Sequence, residues 1–274
     1  MRKLSIGAIA GAVFLLAAGI AWAVTDQVNY SATLPSQTKA KPGAPGNSGY
    51  KAVLDITTPE GTQPDSAPLT ELFFSNGLQL NGSKFAACRQ SAIDGQTAFP
   101  RACKRAVVGK GNAVARIGQA GHPSAVTENL SVTAVNGKKR RNGDQLYLVL
   151  KEKPGQPVAI PNRVIAGDVS KARSPFRTRV AFHVPPELQA RAGAQIALTH
   201  FDVSLFSDKG ANRKTVAIKR RVGRRKRTVR ITFLQVKKCP AAHVLPSKAT
   251  VHFNDDAGNP GGPVVTNTGS VPCK

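Results

Sequence analysis

From residue 28 to the C-terminus, apolar and polar positions alternate with a period of two in short runs, which Gly, Pro, Asn and Asp cut apart. Residues 28–34 (VNYSATL) and 50–57 (YKAVLDIT) open the pattern, and 130–135 (LSVTAV), 146–150 (LYLVL), 178–184 (TRVAFHV) and 196–206 (IALTHFDVSLF) carry it on. Residues 215–222 (TVAIKRRV), 228–236 (TVRITFLQV) and 249–253 (ATVHF) are further examples among the candidate runs. Successive side chains of a strand point to opposite faces, so each run predicts a strand with one buried face. About a dozen such runs, with no amphipathic helix longer than two turns between them, exclude a parallel α/β sheet. The pattern predicts an all-β protein, an antiparallel β-sandwich of jelly-roll or immunoglobulin-like kind. Residues 35–49 (PSQTKAKPGAPGNSG) read as a Pro/Gly/Ser-rich loop or linker. Residues 24–274 form one large domain or two small ones, and one is preferred.

Two hairpins are predicted. In the first, 130–135 and 146–150 flank a turn over 136–144 that opens with Asn136-Gly137 and closes with Gly143-Asp144. In the second, 215–222 and 228–236 flank Gly223-Arg224-Arg225-Lys226-Arg227. Here Val216, Ile218, Val229, Ile231 and Phe233 share an apolar face, while Lys219, Arg221 and Arg230 point away. Arg220 alone among the basic residues of the first strand falls on the apolar side, with a stem long enough to carry its charge to water.

The N-terminus adds a compartment. Arg2 and Lys3 precede an uncharged run from Leu4 to Val24, which contains Ala21-Trp22-Ala23. Small residues at the −3 and −1 positions predict a signal peptide over 1–23, with cleavage before Val24. The run is also long enough to span a bilayer, so an uncleaved anchor is the competing reading, with the same orientation. Cys88, Cys103, Cys239 and Cys273 agree with export, being even in number. Of the three possible connectivities, the local one, Cys88–Cys103 and Cys239–Cys273, is expected. Their spacing does not suit zinc.

Charge changes the picture most. The 274 residues hold 39 Lys and Arg against 15 Asp and Glu, a formal net charge of +24. Thirteen of the basic residues fall between Lys209 and Lys238, a span without one acid. Lys138, Lys139, Arg140 and Arg141 form a second cluster in the turn of the first hairpin. Fields of this kind attract polyanions. Lys138, Lys139, Arg140 and Arg141, with Lys219, Arg221, Arg224, Arg225, Lys226 and Arg227, are therefore the candidate polyanion-binding residues. A solvated basic face that only keeps the protein soluble is the plain alternative. With three Tyr and one Trp, the chain lacks the stacking residues of a specific nucleic-acid module.

Motifs for catalysis are missing. There is no G-x-S-x-G nucleophile elbow. His122, His183, His200, His243 and His252 are scattered without ligand spacing, and His200 with Asp202 on one strand face is the nearest approach to an oriented imidazole. Asn254-Asp255-Asp256-Ala257-Gly258-Asn259 has the oxygen-rich composition of a calcium loop, but also that of a turn after a strand, the preferred reading. No cofactor and no metal site is expected.

Residues 71–115 contain Cys88, a loop, Pro100-Arg101-Ala102-Cys103 and Val108-Gly109-Lys110-Gly111-Asn112-Ala113, and Cys239-Pro240 follows a long strand further on. This arrangement resembles uncharacterised secreted β-rich proteins of high-GC Gram-positive actinobacteria. The resemblance implies a secreted β protein and carries no activity with it. Gly109 and Gly111 suit a bulge or a close backbone approach.

The sequence thus points to an exported, non-catalytic cell-envelope protein, binding or structural, whose basic hairpins meet an anionic cell-wall polymer or similar polyanion. It touches membrane only through an uncleaved anchor. The alternative is a secreted enzyme acting on cell-wall or polysaccharide substrates.

Overall fold

The structure, a computed structural model, describes residues 25–41, 44–138, 144–156, 162–210, 213–222 and 225–274, the side chains of Val222 and Arg225 excepted. The predicted N-terminal signal or anchor and the cluster members Lys139, Arg140, Arg141 and Arg224 lie outside the described residues.

The chain is almost entirely β. In order come β1 (Gln27–Thr33), β2 (Gly46–Ser48), β3 (Tyr50–Thr57), β4 (Leu69–Ser75), β5 (Leu78–Leu80) and β6 (Val107–Gly118). They are followed by β7 (Val126–Asn136), β8 (Gln145–Glu152), β9 (Arg163–Lys171), β10 (Phe176–His183), β11 (Ala190–Arg191) and β12 (Ala194–Leu205). The last are β13 (Val216–Val222), β14 (Arg225–Ile231), β15 (Leu234–Val236), β16 (Val244–Asn254) and β17 (Pro260–Pro272). Among the described residues no helix is long and apolar enough to cross a membrane.

One antiparallel sheet runs β1-β3-β12-β6-β7-β8-β9-β10-β4-β16-β17, with β11 added beside β12. It wraps until its two edges meet, where the Asn267 side chain donates to the Val28 carbonyl at 3.0 Å. Right-handed twist brings such a large sheet round on itself, and closure shelters edges that would otherwise invite pairing. The halves face each other in a sandwich-like body over one core that includes Tyr30, Leu54, Leu72, Phe74, Leu148, Phe182 and Phe201. Alternation accounts for it directly: β1 reads exposed, buried, exposed along its whole length, and β3 nearly so.

The predicted first hairpin is present, with Leu130 opposite Glu152 and Val135 opposite Tyr147. Its second strand departs from simple alternation, because residues 145–150 are buried on both faces. Leu146, Leu148 and Leu150 enter the main core. Tyr147 and Val149 meet Cys88, Ile93, Cys103 and Ala106 in a second cluster on the outside of the sheet. Cys88 and Cys103 are bonded, with Cα atoms 5.3 Å apart. They close a short loop that roofs β7, β8 and β9. Cys239 and Cys273, with Cα atoms 5.8 Å apart, fasten the end of β17.

The segment expected to be a linker is partly a strand. Gly46–Ser48 joins β15 and β5 in a three-stranded sheet. Asn47 holds it there: its amide donates to Asp208 at 3.2 Å and to the Arg230 carbonyl at 3.1 Å, and its Oδ1 accepts from Thr232 N–H at 3.1 Å and Gln235 at 2.9 Å. Gly109 and Gly111 lie where β6 runs closest to β12; a Cβ on Gly111 would stand 1.8 Å from the Asp202 carbonyl oxygen. The register also slips between Val107 and Gly109.

Candidate polyanion-binding surface

The second predicted hairpin is a two-stranded ribbon outside the main sheet, pairing Val216 with Ile231 through to Val222 with Arg225. Val216, Ile218, Val229 and Ile231 turn toward the core, as their alternation requires. On the other face Ala217, Lys219, Arg221, Lys226, Thr228 and Arg230 are all exposed.

Two details differ from expectation. The reversal is shorter than the five-residue tip read from the sequence, so Arg225, Lys226 and Arg227 belong to β14. The second strand also stops at Ile231. Thr232 turns inward, its hydroxyl bonded to the Leu234 carbonyl, and the chain resumes as β15 in the small sheet. Phe233 is buried, edge-on to Phe85 with centroids 5.4 Å apart, but it lies outside the ribbon.

Registration sets like charges opposite one another. Arg220 faces Arg227, and Arg221 faces Lys226. Directly opposed like charges destabilise a strand pair. Among the described residues, none of the ribbon's cations takes part in an ion pair.

The two basic hairpins rise from the same end of the sheet. The Asn136 side chain, at the end of β7, donates to the carbonyls of Gly82, Phe85 and Ala86 at 3.0, 3.3 and 3.1 Å. Asn81, just before them, donates to the Thr232 carbonyl at 3.0 Å and to Gln235 at 3.1 Å. Segment 81–86 therefore ties both roots together. Lys138 is exposed, and its N–H donates to the Cys88 carbonyl at 3.0 Å. Both disulfides and the small sheet share this end.

Asp26, Glu60, Asp65, Glu187, Asp255 and Asp256 gather at the opposite end, in the loops that join the other strand termini. There Asp65 donates its N–H to Asp26 Oδ1 at 3.2 Å. Burial, followed by repulsion from neighbouring carboxylates, pushes Asp26 up to about 6 and Asp65 up to about 7. These carboxylates and the basic hairpins thus lie at opposite ends of the sheet. Sequence reading missed the Asp26–Asp65 contact, since nothing local marks residues 39 apart as neighbours.

The histidine and the oxygen-rich stretch singled out in the sequence take the following positions. His200 Nδ1 lies 2.6 Å from Asp55 Oδ1 on the adjacent strand, whereas Asp202 accepts from the Asn112 N–H at 2.7 Å. The Asn254–Asn259 stretch is a turn, with Asp255 Oδ1 accepting from the Asn259 N–H at 2.7 Å and the Asp255 N–H donating to the Asn259 carbonyl at 2.8 Å. Asn254 itself is buried against Ser66. Among the described residues, no three acidic, His or Cys side chains are grouped to hold a metal.

Fold and surface together define a disulfide-stapled, all-β protein with a segregated basic end. Compared with protein-family models, curated proteins and solved structures, the chain matches none. The two disulfides are of the kind that persists in an oxidising environment.

Proposed function

We propose that this is an exported, cell-envelope protein that works by binding, setting its basic end against an anionic surface polymer. The observation that carries this reading is the register that sets Arg220 opposite Arg227 and Arg221 opposite Lys226, with no ion pair to any of them among the described residues. A bound polyanion relieves that repulsion, while a plain solvated face gains nothing from it. The placement of six carboxylates at the far end supports the same reading, because an uneven charge distribution steers a molecule to a negative surface in one orientation.

The test is a triple substitution on the exposed face, Lys219→Ser, Arg221→Ser and Lys226→Ser, in the otherwise intact chain. Binding to anionic wall polymer, or to heparin as a surrogate, weakens, and its dependence on salt flattens by about 0.7 in log–log slope per lost contact. Folding stability stays within about 0.5 kcal/mol, as for other surface changes. Polymer binding with the same affinity and the same salt slope would leave the ribbon as a solvated face and end the proposal.

A further inference from the structure

At the root of the ribbon, next to the disulfide-closed loop, lies an open cleft of about 480 Å³ lined by Phe99, Lys104, Lys110, Phe206, Arg213 and Lys214, with Val107 and Thr133 at its floor. Four of these residues are cationic and none is acidic. Different parts of the chain supply them. Lys104 comes from the turn before β6, Lys110 from β6 itself, and Arg213 and Lys214 from the segment entering the ribbon. Lys110 stands between Ser204 and Thr133 on the outer face of the sheet, opposite both in register.

Lys214 is fixed in place. Its ammonium donates to the Arg105 carbonyl at 2.7 Å and to the Val107 carbonyl at 2.5 Å, which accounts for two of its three N–H donors. Partial burial lowers its pKa, and among the described residues it has no ion-pair partner. A positioned ammonium with one donor to spare, beside two exposed lysines and an arginine, is a site for an anionic oxygen group. Phe99 and Phe206, both half-buried, add apolar walls that suit the face of a ring.

Resting on the polyanion reading above, we infer that this cleft binds a phosphorylated sugar, the repeating unit of an anionic glycopolymer, with the phosphate on Lys214, Lys110, Lys104 and Arg213 and the sugar ring between Phe99 and Phe206. The ribbon then holds the rest of the polymer without regard to sequence, and the cleft supplies selectivity for its building block.

Calorimetry with glucose 1-phosphate, glucose and inorganic phosphate tests this on the full chain. Glucose 1-phosphate binds more tightly than either fragment. Lys110→Met weakens it at least about tenfold, the loss expected for one charge-assisted hydrogen bond. Lys214→Met does the same, and exposed Lys110 keeps the test decisive if removing Lys214 from the Arg105 and Val107 carbonyls disturbs folding. The ribbon triple variant retains glucose 1-phosphate binding. Absence of binding, binding no tighter than to inorganic phosphate, or binding indifferent to Lys110→Met overturns the cleft assignment. Loss of polymer binding in the ribbon variant alongside any of these leaves the proposed function standing and only the cleft refuted. Conversely, glucose 1-phosphate binding that depends on Lys110, with polymer binding untouched by the ribbon substitutions, refutes the ribbon and keeps the cleft.

Discussion

The phenolic oxygens of Tyr30 and Tyr50 meet at 2.6 Å inside the core, one from β1 and the other from the start of β3. Both side chains are buried, and the Tyr50 ring lies 5.0 Å from that of Phe74 on β4. Burial pushes the Tyr30 hydroxyl up to about 12 and raises Tyr50 well above the ordinary tyrosine value, so both stay neutral and share one hydrogen bond. Tyr50→Phe strands the Tyr30 hydroxyl in apolar surroundings and lowers stability by about 1–3 kcal/mol. Replacing both by Phe removes both polar groups together and costs less than the sum of the single changes. A double-mutant cycle in urea reads that coupling directly. Additive single effects would show that the pair is not coupled.

Asp26 and Asp65 make the stability depend on pH with a defined sign. Their folded pKa values, about 6 and about 7, lie above the ordinary aspartate value of 3.8. The folded state therefore holds protons that the unfolded chain releases, and this contribution is fully present below about pH 4. It disappears as pH rises through 6 to 7. Asp65→Asn cannot ionise, so the variant is more stable than the parent at pH 8 and the two converge near pH 4. Thermal melts across that range check it; a constant difference at every pH would refute it.

Gly111 tests the close approach of β6 to β12. A methyl group there would lie 1.8 Å from the Asp202 carbonyl oxygen and 2.8 Å from the Val203 Cα, both backbone atoms that cannot rotate away. Gly111→Ala is expected to cost about 1–3 kcal/mol or more by overpacking. Gly95→Ala is the contrasting case, since a Cβ there meets nothing within 4 Å, and only the positive φ of 74° strains it. Chemical denaturation of the two variants ranks them, with Gly111→Ala the worse.

The Cys88–Cys103 bridge closes a loop of 15 residues, worth about 3 kcal/mol in the chain-entropy model. Non-reducing peptide mapping recovers Cys88 joined to Cys103 and Cys239 joined to Cys273. A Cys88→Ala, Cys103→Ala double variant loosens the roof over Tyr147 and Val149, and hydrogen exchange speeds up in β8 beyond its neighbour β7. Uniform acceleration across the sheet would place the stabilisation in the whole fold instead of the roof.

Much of this protein is written in its local pattern. The period-2 runs name β1, β3, β7, β8, β10, β12 and β16 of the main sheet but not β4, β6, β9 or β17, and the short loops between paired cysteines favour the pairing found, because strands that alternate and bridges that close locally need only neighbouring residues to form. The inward faces of β1, β3 and β13 follow residue by residue from the same rule. What a segment packs against on its second face is a different matter. Tyr147 and Val149 lie in a run, LYLVL, that is apolar at every position, but only the loop from 88 to 103, folded back over them, supplies the cover that makes them core. Thr232 continues the alternation that runs from 228 to 233, yet Asn47, nearly two hundred residues earlier, captures its N–H and the strand ends at Ile231. The Asp26–Asp65 contact and the cleft around Lys214 arise in the same way, from loops and strand ends that only the closed sheet gathers. Alternation records which side of a strand is apolar; the partner that covers the other side, and the charges that meet across it, come from long-range closure of the chain.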